Sequence, residues 1–440
     1  MHRGDLREPQ AHSALGFPEF IALVAAIMST QALAVDAMLP ALPRIVHELH
    51  VPNPNYGQWV VTTYVAGVGL GQLFWGVASD RFGRRPILLI GLALYVIAAA
   101  LCGMAESFRA LLLWRFVHGL AAASMVLSRS VVRDLYAGRP MARVLSLTFV
   151  VFLMVPVIAP TLGALILKIA PWRAVFRVFA AFAGFVGLWT YVRLPETLHP
   201  EYRLALVPRK ILAAHRAVLW NRIPLCYSLA VMLLFGALIS YVSMMPQIFG
   251  SVFHHASWMP TMFALCAGSM GIASLLNSRI VEHYGMRRIS HLALMCYLAV
   301  TAVHLAVALM GFETVTSFVV LQSLSMGSFA LVAPNFGALA MEPLGAVAGV
   351  GASVQGFVTT CGGAVVASTI GRQFADSTVA LTGGALVCGL LSLLVVLIGE
   401  RGRLFHGHQL GQHSDQSSAP ETGDASVSAR PSRSDNHSTL

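Results

Sequence analysis

Twelve apolar runs follow one another with short polar breaks, near residues 18–42, 57–78, 87–106, 109–132, 144–168, 174–194, 223–246, 259–278, 289–310, 314–337, 347–370 and 379–399. As a helix rising about 1.5 Å per residue, a run of about 20 apolar residues matches the thickness of bilayer hydrocarbon. No water satisfies backbone groups at that depth, so runs of this kind are helical rather than open sheet. The expected fold is therefore an all-α membrane protein with twelve transmembrane helices. Hydrophobic residues make up 57% of the 440 and charged residues only 11%, too few charges to coat a soluble domain of this size.

A net charge of +10 would suit a nucleic-acid partner if it were clustered, but its distribution points elsewhere. With the amino terminus inside, cytoplasmic segments hold 22 of the 29 Lys and Arg residues, external segments hold six, and Arg115 lies within a span. Basic residues concentrate in cytoplasmic loops. The charge thus reads as topology, with both termini cytoplasmic and no nucleic acid bound. The start of the chain imitates a signal peptide, an apolar run from Phe20 being followed by Ala32-Leu33-Ala34, yet the run continues to Leu42, too long for a signal. All six cysteines fall inside spans and read as packing residues rather than disulfides.

Between the second and third spans, Gly76 to Pro86 reads GVASDRFGRRP, four charges in a very short cytoplasmic turn. Its pattern Asp80-Arg-Phe-Gly83-Arg-Arg85 recurs as Glu282-His-Tyr-Gly285-Met-Arg287, again just after the second span of its half, which points to a duplicated six-helix unit. The longest internal polar stretch divides the spans six and six. The expected organisation is a cytoplasmic N-terminus at 1–17, a six-helix bundle at 18–194, a cytoplasmic linker at 195–222, a second bundle at 223–399 and a disordered cytoplasmic tail at 400–440.

Asp36 is the one acid well inside a span, and ionisable groups at that depth usually face a cavity or a partner. It lies about as far from the external end of the first span as Arg115 lies from that of the fourth, roughly 9 Å below the surface. An ion pair or a shared cavity is therefore geometrically possible. A carboxylate in that setting can bind a proton in one conformation and release it in another; the plainer reading is a structural ion pair. His118, one turn from Arg115, is a weaker candidate for titration. The acids of the second half, Glu282, Glu313, Glu342, Asp376 and Glu400, fall at span ends or in loops, which places any proton coupling in the first six helices. Substrate contacts are expected from Tyr64, Met125, Met154, Met232, Tyr241 and Gln355, a lining suited to lipophilic or weakly polar compounds rather than to anions.

The Gly76, Asp80, Arg81, Gly83, Arg84 and Arg85 turn is expected to act as a conformational latch. Asp80 can pair with Arg84 and can also meet the positive end of the span 11 helix dipole, while Asp134 is a second acid for Arg81 or Arg84. In span 5, Pro156 and Pro160 remove helix hydrogen bonds and bend the helix, and Gly163 permits close approach to a neighbour.

These segments resemble the major facilitator superfamily: GVASDRFGRRP has the spacing of its signature loop between helices 2 and 3. More narrowly, VDAMLPALP around Asp36, RFVHGLAAA followed by VVRDLY, VPVIAPTLG then PWRAVF, LPETL at 194–198 and APNFGALAM at 333–341 look like the bicyclomycin-resistance (Bcr/CflA) group of drug:proton antiporters. The resemblance runs from about residue 15 to 400 and implies proton-coupled efflux of small lipophilic or drug-like compounds by alternating access. It matches Asp36 and Arg115 to the acid and arginine of spans 1 and 4, and Asp80 and Arg84 to the latch. His118 stands where the group commonly has glutamine, and span 5 departs from the glycine-proline-glycine pattern of antiporters.

An ATP-driven pump would carry a G-x-x-x-x-G-K-[ST] loop, which the chain lacks. A membrane enzyme would need a nucleophile beside Asp36, Arg115 and His118, so no enzyme, cofactor or metal is expected. His406, His408 and His413 form a weak metal-binding alternative in the tail. The expected partners are protons, a small-molecule substrate and the lipid bilayer, around a monomer. A proton-coupled uptake symporter or a uniporter is the alternative on the same fold.

Overall fold

A computed structural model describes residues 15–136, 138–198, 201 and 220–405, with side chains described for all of these except 138–140, 142, 145, 146, 149–153, 282 and 345–350. Its long helical spans are, in order, α1 (Phe17–Glu48), α2 (Pro54–Phe82), α3 (Arg84–Gly103), α4 (Phe108–Leu135), α5 (Gly138–Ile169), α6 (Arg173–Arg193), α7 (Arg222–Val252), α8 (Ala256–Val281), α9 (Met286–Leu309), α10 (Val315–Leu344), α11 (Gly351–Arg372) and α12 (Val379–Gly399). Eleven are long and apolar enough to cross a membrane, and α5 adds the apolar stretch Met154–Ile169. No strand occurs among the described residues. Residues through Phe405 belong to one compact unit. The N-terminal segment to residue 14, most of the 195–222 linker, and the tail from 406 with His406, His408 and His413 lie outside the described residues, as does the side chain of Glu282.

Three irregular spans position the site. In α1 the helix ends at Asp36, a short 3-10 turn follows at Leu39–Ala41, and a second helical piece runs from Leu42 to Glu48. Pro40 and Pro43 explain the break, because proline lacks an N–H and disfavours helical geometry in the residue before it. In α4 a 3-10 turn at Ala123–Val126 separates Phe108–Ala122 from Leu127–Leu135. Helix α4 thus continues past the run that hydropathy ends at 132, and it carries Arg129 and Arg133 within its length. In α11 a turn of π-helix at Val358–Gly362 interrupts the spiral.

Small residues let these spans meet. A Cβ on Gly163 of α5 would lie 2.0 Å from the carbonyl oxygen of Ala37, so α5 presses on α1 at its break and only glycine admits the contact. Pro156 and Pro160 lie inside α5 without ending it, since the helix continues for 32 residues. Between α2 and α11, Gly69 abuts Cys361, Gly356 abuts Gln72 and Gly371 abuts Gln58, which holds the two helices together along most of their length.

Candidate functional site

Three buried donors converge on the turn of α1 that precedes Asp36. The Tyr95 hydroxyl of α3 donates to the Thr30 carbonyl at 2.8 Å, and the Tyr64 hydroxyl of α2 donates to Gln31 at 3.1 Å. Arg115 of α4 donates from Nη2 to the Ala34 carbonyl at 3.2 Å and from Nε to the Val60 carbonyl at 2.9 Å. Its Nη1 lies 3.3 Å from His118 Nδ1, and its guanidinium sits 4.3 Å from the Tyr64 ring centroid. The arginine is therefore satisfied by carbonyls and rings. The ion pair with Asp36 that equal depth allowed does not form: among the described residues no hydrogen bond or ion pair holds that carboxylate, which is 7% exposed. Arg115 fixes the backbone two residues before Asp36 and leaves the acid itself free.

His118 is fully buried among the rings of Tyr64, Tyr95 and Phe179. Its Nε2 has no partner. Since the Arg115 guanidinium can only donate, Nδ1 accepts, and the neutral ring carries its proton on the unpartnered nitrogen.

At the basic end of the molecule Arg84 joins four segments. Its guanidinium pairs with Asp80 of α2, donates to Ser79 Oγ at 2.6 Å, and donates from Nε to Asp134 of α4 at 3.0 Å. Its backbone N–H donates to Glu196 at 2.9 Å, and the Arg85 N–H donates to the same carboxylate at 3.3 Å. Glu196, the acid of LPETL, thus caps the amino end of α3, where the helix dipole favours a negative charge. Gly83 has φ +103, and a Cβ there would lie 2.4 Å from Glu196, so this turn requires glycine. Arg85 donates to the Tyr191 carbonyl at 2.6 Å, whereas Arg81 is exposed beside the Phe82 ring. Of the two arginines that Asp134 could serve, it serves Arg84. A Cβ on Gly76 would lie 3.6 Å from Ser353 of α11, an ordinary contact between the halves. Residues 345–350, which lead into α11, have no described side chains.

The second half repeats the arrangement. Arg287 of α9 pairs with Glu342 at the end of α10 (3.1 Å) and with Glu400 just after α12 (3.2 Å), as Arg84 meets Asp134 at the end of α4 and Glu196 after α6. The Tyr227 hydroxyl donates to Glu400 at 2.6 Å. Glu400 and Glu313 lie at span ends as expected from their positions, yet Glu400 is buried and the Glu313 side chain is only 8% exposed: Glu313 meets His304 at 2.7 Å and accepts a bond from Thr378. An acid at a span end need not face water, and hydropathy alone cannot tell the difference.

At the opposite end, side-chain amides join the halves. Gln58 of α2 donates to Gln247 of α7 at 2.5 Å, Gln247 donates to Asn55 at 3.0 Å, and Asn55 donates to the Phe374 carbonyl at 2.8 Å. These amides close that end of the molecule. The expected substrate contacts divide: Tyr64 and Met125 are buried, Tyr241 is buried against the Phe263 ring, Met232 and Gln355 are half-buried near α11, and Met154 is exposed. Glu196, Gln58 and Gln247 escaped the sequence reading; only the acid in LPETL, close behind a span, offered a signal.

Set beside known proteins, residues 21–371 match the Major Facilitator Superfamily. The chain is 28% identical over 381 residues to a bicyclomycin resistance protein homolog of Haemophilus influenzae, an alignment covering 85% of this chain and 94% of that one. It is 28% identical over 381 residues to multidrug resistance protein MdtL of Klebsiella pneumoniae, covering 83% and 91%. Its fold is similar to that of a D-xylose-proton symporter, with a TM-score of 0.69 at 13% identity over 87% of this chain and 97% of the other.

Proposed function

Because this chain belongs to the Major Facilitator Superfamily, a family of membrane transporters rather than enzymes, we propose that it exports small lipophilic or drug-like compounds across the bacterial inner membrane in exchange for protons. The observation that carries this reading is Asp36: a buried carboxylate without a partner, at a helix break, on a backbone held by three other helices. Such a group is stable when protonated and costly when charged, so a proton or a cavity that admits water must accompany it through the cycle. The relatives named for bicyclomycin and multidrug resistance support export, and the apolar or thioether groups of Met154 and Met232 suit lipophilic solutes.

In the proposed cycle the Arg84 cluster, on the cytoplasmic side, stabilises one closure, and the Gln58, Gln247 and Asn55 amides stabilise the other. Protonation of Asp36 from outside and its release inside link the two. One charge crossing 100 mV supplies roughly 2.3 kcal/mol, about a fifty-fold concentration ratio. A single carboxylate is thus enough to drive useful export by a monomer.

Inverted membrane vesicles with an imposed pH difference test the reading. Lipophilic dyes should accumulate against their gradient and be released by an uncoupler; movement only down the gradient would overturn proton-driven export. Cysteine labelling from outside checks the orientation. It should fail at position 210 and succeed near 253, and labelling at 210 in intact cells would reverse the topology.

A further inference from the structure

At the end of the molecule closed by the amides, a cavity of about 310 Å³ opens on the seam between the halves. Its wall is made by Asn53, Asn55, Tyr56 and Trp59, around the start of α2, and by Arg372, the last residue of α11. The hydrogen bonding of this wall is one-sided. Asn53 Oδ1 accepts from the Asn55 N–H at 2.9 Å, while Asn55 spends its carbonyl on Gln247 at 3.0 Å and its amide on the Phe374 carbonyl at 2.8 Å. Among the described residues, three groups of the wall stay unspent: the Asn53 amide N–H groups, the Tyr56 hydroxyl and the Arg372 guanidinium, which has neither a hydrogen bond nor an ion pair. Arg372 is exposed but anchored, its guanidinium 5.3 Å from the Trp59 ring centroid, and that ring stacks on Tyr56 at 4.4 Å with 22° between the planes. A guanidinium placed over a ring keeps N–H donors for another partner. Asp376, four residues on, is exposed and neither lines the cavity nor pairs with Arg372.

We propose that this cavity binds a phosphate or carboxylate group, held by Arg372 from one half and by the Asn53 amide from the other. Under the proposed topology the site faces the cell exterior. Donors with no free side-chain acceptor beside them suit an anion: a sugar would need acceptors for its own hydroxyls, and a cation would be repelled by the arginine. The planar fork of a guanidinium offers two parallel bonds to a carboxylate or phosphate. Binding here acts on conformation. Asn55 both lines the cavity and ties Gln247, and Gly371, next to Arg372, abuts Gln58. The two sides of the site separate when the seam between α2 and α11 opens, so a ligand that touches both favours the closed arrangement, by about eleven-fold at ten times its dissociation constant. The site shares no residue with the Asp36 region, and it regulates closure of this end rather than carrying the transported solute.

The test uses the full chain in dodecyl maltoside, a detergent without phosphate, and follows its thermal midpoint at constant ionic strength. The probes are inorganic phosphate and dihexanoylphosphatidylglycerol, with chloride as the reference. A probe that binds should raise the midpoint by roughly 1–3 °C and then saturate. Saturation by inorganic phosphate assigns the site to a soluble anion, and saturation by the short lipid alone assigns it to a lipid headgroup; either result supports the anion site. Arg372→Gln should raise the half-saturating concentration about ten-fold or more, and Arg372→Lys should raise it less, since an ammonium keeps the charge without the fork. Asn53→Asp keeps an acceptor for the Asn55 N–H and sets a like charge against the ligand, so it should weaken binding as well. A ligand-free midpoint equal to that of the unsubstituted chain shows that a variant is folded, and Asn53→Asp carries the test if Arg372→Gln fails that control. Hydrogen exchange should slow together at residues 54–59 and 369–374 when the probe binds. Slowing on one side alone overturns the bridge between halves, and no shift with either probe overturns the site. A shift that never saturates, or that survives both substitutions, is the general stabilisation that phosphate gives a compact protein, and it overturns the site too.

Discussion

The Arg84 cluster and the Asp36 site lie in the same six helices and treat charge in opposite ways. Around Arg84 every acid has a partner: Asp80 and Asp134 share the guanidinium, and Glu196 takes the N–H groups of Arg84 and Arg85. Around Asp36 the nearby arginine is spent on the Ala34 and Val60 carbonyls, and the acid is left alone. A paired cluster gains from being held together and loses when it is pulled apart, which suits an element that is closed in one state and open in another. An unpaired buried acid has no counter-charge to hold it ionised, so it is charged only where water or a proton acceptor reaches it, which suits a group that must load and unload. Fully paired charge therefore marks the proposed latch, and unpaired charge marks the proposed proton site.

The most severe way to break this contrast is Asp36→Asn. The amide keeps the shape and neutral form of the protonated acid and cannot release a proton. Active efflux in vesicles should become undetectable while substrate binding survives and loses most of its pH dependence. If the variant still concentrates substrate, and an uncoupler still collapses the gradient, the proton site lies elsewhere and His118 is the next residue to test.

Asp80→Asn attacks the paired side. It removes one of the two charges on the Arg84 guanidinium and leaves Asp134 in place. Transport should fall by about ten-fold or more, the cost of losing a charge-assisted bond in one state only. Membrane insertion, read by expression in the membrane fraction, should be unchanged. Normal transport at wild-type expression would reduce the cluster to a determinant of topology.

Gly163→Ala tests whether the α1 break positions the acid. A methyl group 2.0 Å from the Ala37 carbonyl forces α1 and α5 apart, at a cost of about 1–3 kcal/mol typical of overpacking. Transport should drop several-fold, with the pH profile of substrate binding displaced, because the backbone beside Asp36 has moved. A lower melting temperature with an unshifted profile would make the glycine a packing residue only.

Much of this was legible in the chain. Asp36 and Arg115 stood out because charge is rare in apolar runs, and Arg84 stood out because its turn has fixed spacing. What stayed hidden is the direction of side chains. Nothing in a one-dimensional pattern says that Arg115 points at carbonyls instead of at Asp36, since both arrangements place two charges at one depth. Gln58, Gln247 and Asn55 were invisible for a related reason: neutral amides carry no periodic signal, and their partners are about 190 or more residues away. The repeat was seen but its register was not. Arg287 aligns with Arg85 by sequence, two residues past the glycine, yet it takes the place of Arg84 between an acid at the end of one span and an acid after another.

That shifted register supplies the smallest effect and the finest test of the contrast. Glu400→Gln removes the charge that Arg287 and Tyr227 share in the second half. Arg287 keeps Glu342, so the cluster loses one partner of two, and the lost charge-assisted bond is worth about 1.5–3 kcal/mol when buried. The amide can still accept from Tyr227, which offsets part of the cost. Thermal unfolding should therefore occur a few degrees lower, with transport reduced by no more than about three-fold. The first-half turn adjoins α11 of the other half where Gly76 faces Ser353, whereas the described bonds of Arg287 stay within its own half. A charge that ties one half together affects both end states alike, and equal effects on two states leave their balance unchanged. If Glu400→Gln instead lowers transport as far as Asp80→Asn at equal expression, the two clusters act as paired latches, and the difference between a cluster that stabilises a half and one that switches between states disappears.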